Sequence, residues 1–255
     1  FGSSVLATAN VMCAAVLAKG TTFIEFAACE PEVIDLANFL VQMGAKIKGI
    51  GSPCLTIEGV KKLNGTEYTV IPDRIEAGTF AIAGAITRGD VYIKDCRPFY
   101  MGAFIEKLKE TGVSVKTGKN FIHIKAVPRW KASDIVTLAY PGFPTDLQAQ
   151  MMAFLSLADG TSVITEKVFP ERFIHAGELN RLGANIQIDG ARAIIRGVKK
   201  LFGARVMASD LRASAALVLA GLSAEGITEI LRIYHLSRGY ENFEKKLNRI
   251  GADIK

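Results

Sequence analysis

Apolar and polar positions fall into one pattern that recurs along the chain. Windows rich in Ala, Leu and Met with few charges run over residues 74–88, 147–159 and 211–225. A helix that is apolar on most sides is a buried one, so each window predicts a buried helix. Each is opened by a residue able to cap it, Asp73, Asp146 and Asp210, and Ser4 opens the corresponding stretch near the start of the chain. The side-chain oxygen of such a residue accepts a free backbone N–H of the first turn. After each window comes a glycine and a short β-branched run, at 21–25, 91–94, 162–165 and 228–231. Next come stretches in which charge and apolar residues alternate at helical period, for example 103–111 and 240–249. These predict helices with one solvated face. A second glycine ends each of them.

Those closing glycines, Gly44, Gly112, Gly183 and Gly251, are spaced 68, 71 and 68 residues apart. The chain is therefore read as four tandem copies of a repeat of about seventy residues. Connecting stretches 57–74 and 195–212 share Gly-Val-Lys-Lys-Leu, and read as two strands flanking a glycine-containing turn. The predicted class is α/β, with a strand–helix–strand–helix–strand–strand repeat. A repeat whose helix is buried nearly all round must pack that helix against its equivalents. Three copies around one axis would place helices inside and sheets outside.

Composition narrows the function. Of the 255 residues, 49% are hydrophobic and 22% charged, which excludes a disordered chain. The longest nearly unbroken apolar stretch, 213–222, is about half of what a membrane span needs. The net charge of +6 comes from lysines and arginines spread along the whole chain, without a basic tail or an aromatic-interleaved strip, so nucleic acid is not the expected partner. Cys13, Cys29, Cys54 and Cys96 lack metal-ligand spacing and are expected to be reduced, mostly buried thiols in a cytoplasmic protein. The histidines, His123, His175 and His235, show no metal spacing either. Gly49-Ile50-Gly51 lacks the setting of a dinucleotide loop, and Trp130 lies in a polar connector.

Six short words carry a resemblance. They are residues 27–32 (AACEPE), 72–79 (PDRIEAGT), 143–150 (FPTDLQAQ), 171–173 (ERF), 210–214 (DLRAS), and 232–235 with 238–241 (RIYH, RGYE). In this order they resemble the enolpyruvyl transferases, and the cell-wall branch of that family above its shikimate-phosphate branch. The resemblance implies an inside-out α/β barrel of two domains, each of three repeats, with four of the six present here. Residues 1–71 would be the last repeat of the first domain and 72–255 the whole second domain. The family's reactive-cysteine loop and its lysine–asparagine pair would lie outside this sequence, in the same or a partner chain, leaving the fragment alone inactive. Two departures stand out: Leu6 where the family has glycine, and Cys29 where it has arginine.

The reaction implied moves the enolpyruvyl group of phosphoenolpyruvate onto the 3-hydroxyl of UDP-N-acetylglucosamine, with no cofactor and no metal. An alcohol needs a carboxylate to take its proton, and Asp146 is the candidate base. A helix cap is its plain alternative. Phosphoenolpyruvate carries two anionic groups that guanidinium can grip in bidentate fashion, and Arg238 is the candidate clamp. Asp210 would orient Arg238 or the reacting carbon. Val168, Phe169 and Arg172 would face the sugar nucleotide, while Ser3, Ser4 and Val5 would meet its uridine or diphosphate at a helix start. Two other readings remain: a shikimate-branch (5-enolpyruvylshikimate-3-phosphate synthase-like) enzyme, and a non-catalytic sugar-nucleotide-binding paralogue.

Overall fold

The computed structural model describes residues 2–255. It divides into two compact units: Phe1–Pro72 with Ala139–Gly142, and Asp73–Leu138 with Phe143–Lys255.

The first unit holds one repeat. Helix α1 (Val5–Ala15) is capped by Ser4, whose hydroxyl accepts from the Ala7 N–H at 3.3 Å. Strand β1 (Thr21–Glu25) follows, then α2 (Pro31–Gln42), β2 (Lys46–Lys48) and β3 (Cys54–Glu58). The strands form an antiparallel sheet in the order β1–β3–β2. Met12, Val33, Ala37, Leu40 and Ile57 make a small core. Leu6, Phe23 and Phe26 stay largely exposed, so this unit presents apolar surface.

The second unit holds the other three repeats. The first of these comprises α3 (Arg74–Ile86), β4 (Asp90–Lys94), α4 (Gly102–Glu110), β5 (Ser114–Thr117) and β6 (Phe121–Lys125). A short strand β7 (Ile135–Val136) leads into α5 (Gln148–Leu155), β8 (Thr161–Thr165), α6 (His175–Arg181), β9 (Asn185–Asp189) and β10 (Arg192–Arg196). Strands β11 (Leu201–Phe202) and β12 (Arg205–Met207) precede α7 (Leu211–Ser223), β13 (Ala224–Glu225), β14 (Glu229–Leu231) and α8 (Phe243–Arg249). Helices α3, α5 and α7 pack on one another. Every residue of α5 is buried, as the lack of charge in its sequence predicts. By contrast α4, α6 and α8 bury one face each.

The closing glycines do what their spacing predicts: Gly44, Gly112, Gly183 and Gly251 all have φ between 92° and 108°, the left-handed region that ends a helix. The Gly-Val-Lys-Lys-Leu word has a different cause from the hairpin expected of it. Gly59 and Gly197 sit against the carbonyls of Ala18 and Ala158, where an added Cβ would lie 1.6 and 1.7 Å from the oxygen. Their N–H groups donate to Gly20 and Gly160, and the following valines donate to Val16 and Ser156. The word thus locks the end of each sheet onto the end of the first helix of its repeat. After the first copy no strand forms. After the second, β11 and β12 pair in parallel with β13 and β14 rather than with each other. Likewise β7 adds in parallel to β8, so these repeats extend the next one's sheet.

Other expectations also need correcting. Helix α8 starts at Phe243 rather than at residue 240, because Asn242 is left-handed (φ 48°) and Tyr240 turns inward. Trp130 is core: fully buried, stacked on Phe154 at 4.5 Å, its indole N–H donating to the Phe154 carbonyl. Of the cysteines only Cys96 is buried; Cys29 is half-buried, and Cys13 and Cys54 are exposed. Cys13 lies off the Thr8–Met12–Ala15 face by which α1 packs, and Cys54 opens β3 on its outward positions. All four are free thiols.

Candidate active site

Three of the four polar openers behave as caps, and one does not. Asp73 accepts from the N–H groups of Ile75 and Glu76 at 2.7 and 3.0 Å, and Asp210 from those of Arg212 and Ala213, both at 2.9 Å. Ser4 does the same more weakly. Asp146 makes no such bond. The Pro144 backbone is extended and Thr145–Leu147 form a 3-10 turn, so α5 begins two residues beyond Asp146 and its carboxylate is left free. The capping expected at this position is therefore corrected. Instead, Oδ1 accepts from Arg172 Nη1 at 2.7 Å and Oδ2 from Arg212 Nη2 at 3.2 Å. A bidentate carboxylate between two guanidiniums, on two different repeats, is a built arrangement.

Burial alone would raise the Asp146 carboxyl, but the charges of Arg212 and Arg172 and their hydrogen bonds outweigh it and hold it below the usual carboxylate range. Arg212 leaves only 11% of its side chain accessible. Burial works against its charge, yet Tyr240 and Asp146 keep it firmly protonated. The Tyr240 hydroxyl is pushed up by burial and stays a neutral O–H. It meets Thr79 Oγ1 at 2.9 Å, Arg212 Nη1 at 3.1 Å and Gln150 Nε2 at 3.3 Å. Gln150 also donates to the Asp146 carbonyl at 2.9 Å. One side chain from each of α3, α5 and α7 thus converges on a single phenol behind Asp146.

The loop after β8 is organised by Glu166, which is 1% exposed. Its Oε1 accepts from the backbone N–H groups of Val168 and Phe169 at 2.8 and 3.0 Å, and from the Thr137 hydroxyl. Its Oε2 accepts from Thr145 Oγ1 at 2.8 Å. Arg172 reaches both Thr145 and Asp146, with its guanidinium 5.6 Å from the Phe169 ring centre. Phe169 and Val168 themselves remain partly exposed.

The structure therefore brings Asp146, Arg172, Val168 and Phe169 together. Asp210 serves as the cap of α7, with its other oxygen 3.5 Å from Ser209 Oγ. Arg238 ends a 3-10 segment (Ile233–Arg238), exposed and without a salt bridge among the described residues. Ser3, Ser4 and Val5 belong to the first unit, with Ser4 and Val5 exposed. Sequence reasoning passed over Arg212, Tyr240, Gln150, Thr79 and Glu166. Four of these five stand inside the quoted words, so the signal was present; which side chains converge is set by the packing of three distant helices. A cavity of about 940 Å³ lies elsewhere, lined by residues from 83–91, 218–230 and 247–255. None of the Asp146 cluster lines it, and the paired arginines rather than the cavity mark the candidate site.

Three repeats with buried central helices, and an acid held between arginines, define a member of the enolpyruvyl transferases. The family model described as EPSP synthase (3-phosphoshikimate 1-carboxyvinyltransferase) matches residues 2–247, and the chain belongs to that family. It is 56% identical over 254 residues to the UDP-N-acetylglucosamine 1-carboxyvinyltransferase of Methylacidiphilum infernorum, covering 100% of this chain and 60% of that protein. It is 58% identical over 251 residues to UDP-N-acetylglucosamine 1-carboxyvinyltransferase 1 of Caldanaerobacter subterraneus, covering 98% of this chain and 60% of the relative. The chain thus spans about three fifths of the length of these curated relatives. Among solved structures, the enolpyruvyl transferase NikO from Streptomyces tendae superposes with a TM-score of 0.86 at 27% identity, over 94% of this chain and 58% of that one. EPSP synthase from Acinetobacter baumannii gives 0.77 at 21% identity, over 100% of this chain and 62% of that one, a likeness of fold.

Proposed function

We propose that this chain is part of a longer UDP-N-acetylglucosamine 1-carboxyvinyltransferase, acting at the first committed step of peptidoglycan synthesis. Residues 1–71 would close its first domain and 72–255 form its second. The observation that carries this reading is the exception at Asp146: two equivalent aspartates cap helices, whereas this one is withheld from its helix and presented to two arginines. Stability alone gives no reason for that difference.

In the proposed reaction the sugar 3-hydroxyl adds to the central carbon of phosphoenolpyruvate, forming a C–O bond while the methylene carbon takes a proton. Loss of that proton and of phosphate then restores the double bond. Asp146 takes the hydroxyl proton. As it stands, its arginine partners make it a weak base. Arrival of the substrate's phosphate and carboxylate gives Arg172 another anion to pair with, which relaxes its hold on Asp146 and raises the carboxylate's basicity when it is needed. Arg238 is free to grip the same substrate, and Val168 and Phe169 to contact the sugar nucleotide, with Ser3, Ser4 and Val5 at its uridine end and Asp210 holding the start of α7. The free thiols accord with a cytoplasmic location, and a role in cell-wall biogenesis, cell shape and division would follow from the reaction.

The test is phosphate release from phosphoenolpyruvate and UDP-N-acetylglucosamine. The full-length polypeptide should turn over and residues 1–255 alone should stay at background. Turnover of shikimate 3-phosphate in place of the sugar nucleotide would select the other branch of the family, and binding without turnover by the full-length polypeptide would select a non-catalytic paralogue.

A further inference from the structure

The Asp146–Arg212 pair does not stand alone; its geometry is imposed from behind. Thr79 Oγ1 donates its only proton to the Ile75 carbonyl at 2.8 Å. It must therefore be the acceptor of the 2.9 Å bond to Tyr240, and the Tyr240 proton points at Thr79. That leaves the lone pairs of the Tyr240 oxygen for Arg212 Nη1 and Gln150 Nε2. The donors run in one direction, Arg212 to Tyr240 to Thr79 to the backbone of α3. The guanidinium also lies 5.5 Å from the Tyr240 ring centre, so ring and hydroxyl hold it together. Arg212 Nε has no partner among the described residues, and of the five N–H groups two are fixed by named partners: one to Tyr240, one to Asp146.

We propose that Tyr240 is a positioning residue, whose hydroxyl, held by Thr79, fixes Arg212 against Asp146 and so sets how readily that carboxylate takes a proton. Its role in turnover rests on the transferase reading; its effect on Asp146 does not. The arrangement makes the two arginines unequal. Arg212 is anchored in the helix core, while Arg172 rides on a surface loop and is the one substrate can draw away. The charged groups facing Asp146 are these two guanidiniums, with His175 of α6 and Asp210 at the start of α7 adjoining them.

The experiment follows the carboxyl carbon of Asp146 by NMR in this chain, with aspartate labelled and the signal assigned by Asp146→Asn. Tyr240→Phe keeps the ring and removes the hydroxyl. The titration midpoint of Asp146 should move upward, because Arg212 loses its anchor. Thr79→Val should move it in the same direction. In an Arg212→Gln background, Tyr240→Phe should add nothing. A folded Tyr240→Phe whose Asp146 midpoint is unmoved would overturn the proposal and leave Tyr240 as core packing. So would a shift that persists without Arg212. Should Tyr240→Phe not fold, Thr79→Val alone decides the matter by the same two criteria. In the full-length enzyme, Tyr240→Phe should lower kcat roughly tenfold, because a carboxylate no longer held in place by Arg212 meets the sugar hydroxyl less often in line, with the KM for the sugar nucleotide little changed. If Asp146→Asn leaves turnover intact, the transferase mechanism fails while the titration result still stands.

Discussion

Acidification should act on His175 before it acts on most of the fold. This side chain opens α6 and is 2% exposed, and its Nε2 has no partner among the described residues. Burial drives its pKa from 6.5 down to about 4, with nearby Asp210 opposing and Arg172 adding to the effect. An unfolded chain has no such burial and binds a proton near 6.5. Between those two values the unfolded state carries a proton the native state refuses, so stability falls as pH falls. At pH 5 the ratio of the two binding terms is roughly thirtyfold, about 2 kcal/mol; the full difference, reached below pH 4, is about 3 kcal/mol. The single tryptophan, Trp130, is buried in the same unit and reports on its unfolding. Urea titrations followed by its fluorescence at pH 7.5 and pH 5.0 give the loss directly. His175→Gln removes the titrating group, so its loss between the two pH values should be smaller by about 2 kcal/mol. Equal losses in the two proteins would refute the reasoning, and would mean the imidazole is protonated inside the fold.

Three further outcomes are expected. In the full-length enzyme, Asp146→Asn should lower kcat by roughly two to four powers of ten, the range for a lost general base, and should also lower the urea midpoint, because it leaves the buried Arg212 guanidinium without its anion. Asp210→Ala removes a cap from α7 and should cost about 1–2 kcal/mol in the same titration. Gly197→Ala places a methyl group against the Ala158 carbonyl and should destabilise by about 3 kcal/mol, read from the midpoint of Trp130 fluorescence; an unchanged midpoint would show that the connector can move aside.

The fold was legible wherever physics acts within a short stretch. Helices α3 and α7 declare themselves by an aspartate cap and an uncharged run, and the closing glycines by the one conformation they permit. The Gly-Val-Lys-Lys-Leu word was misread because β11 and β12 look like a hairpin locally, while their partners lie in the next repeat and run parallel. Trp130 was missed for a similar reason: its neighbours in sequence are polar and its neighbour in space is Phe154. At the site, Asp146 and Arg172 were named from words whose spacing resembles a family. Arg212 and Tyr240 sit in such words too, but only the packing of α3, α5 and α7 shows that they meet.

The bond between Tyr240 and Thr79 spans 161 residues, and Lys246 reaches back 170 to Glu76. The second unit is thus held together by contacts whose two sides are translated far apart in time. At roughly 5–20 residues per second, α3 leaves the ribosome about 8 to 30 seconds before the segment that covers it. During that interval a helix with almost no charge has β4, β6 and then α5 beside it but lacks α7 and the Tyr240 segment. The nascent chain between α3 and α7 is therefore the form in which this protein most needs a chaperone.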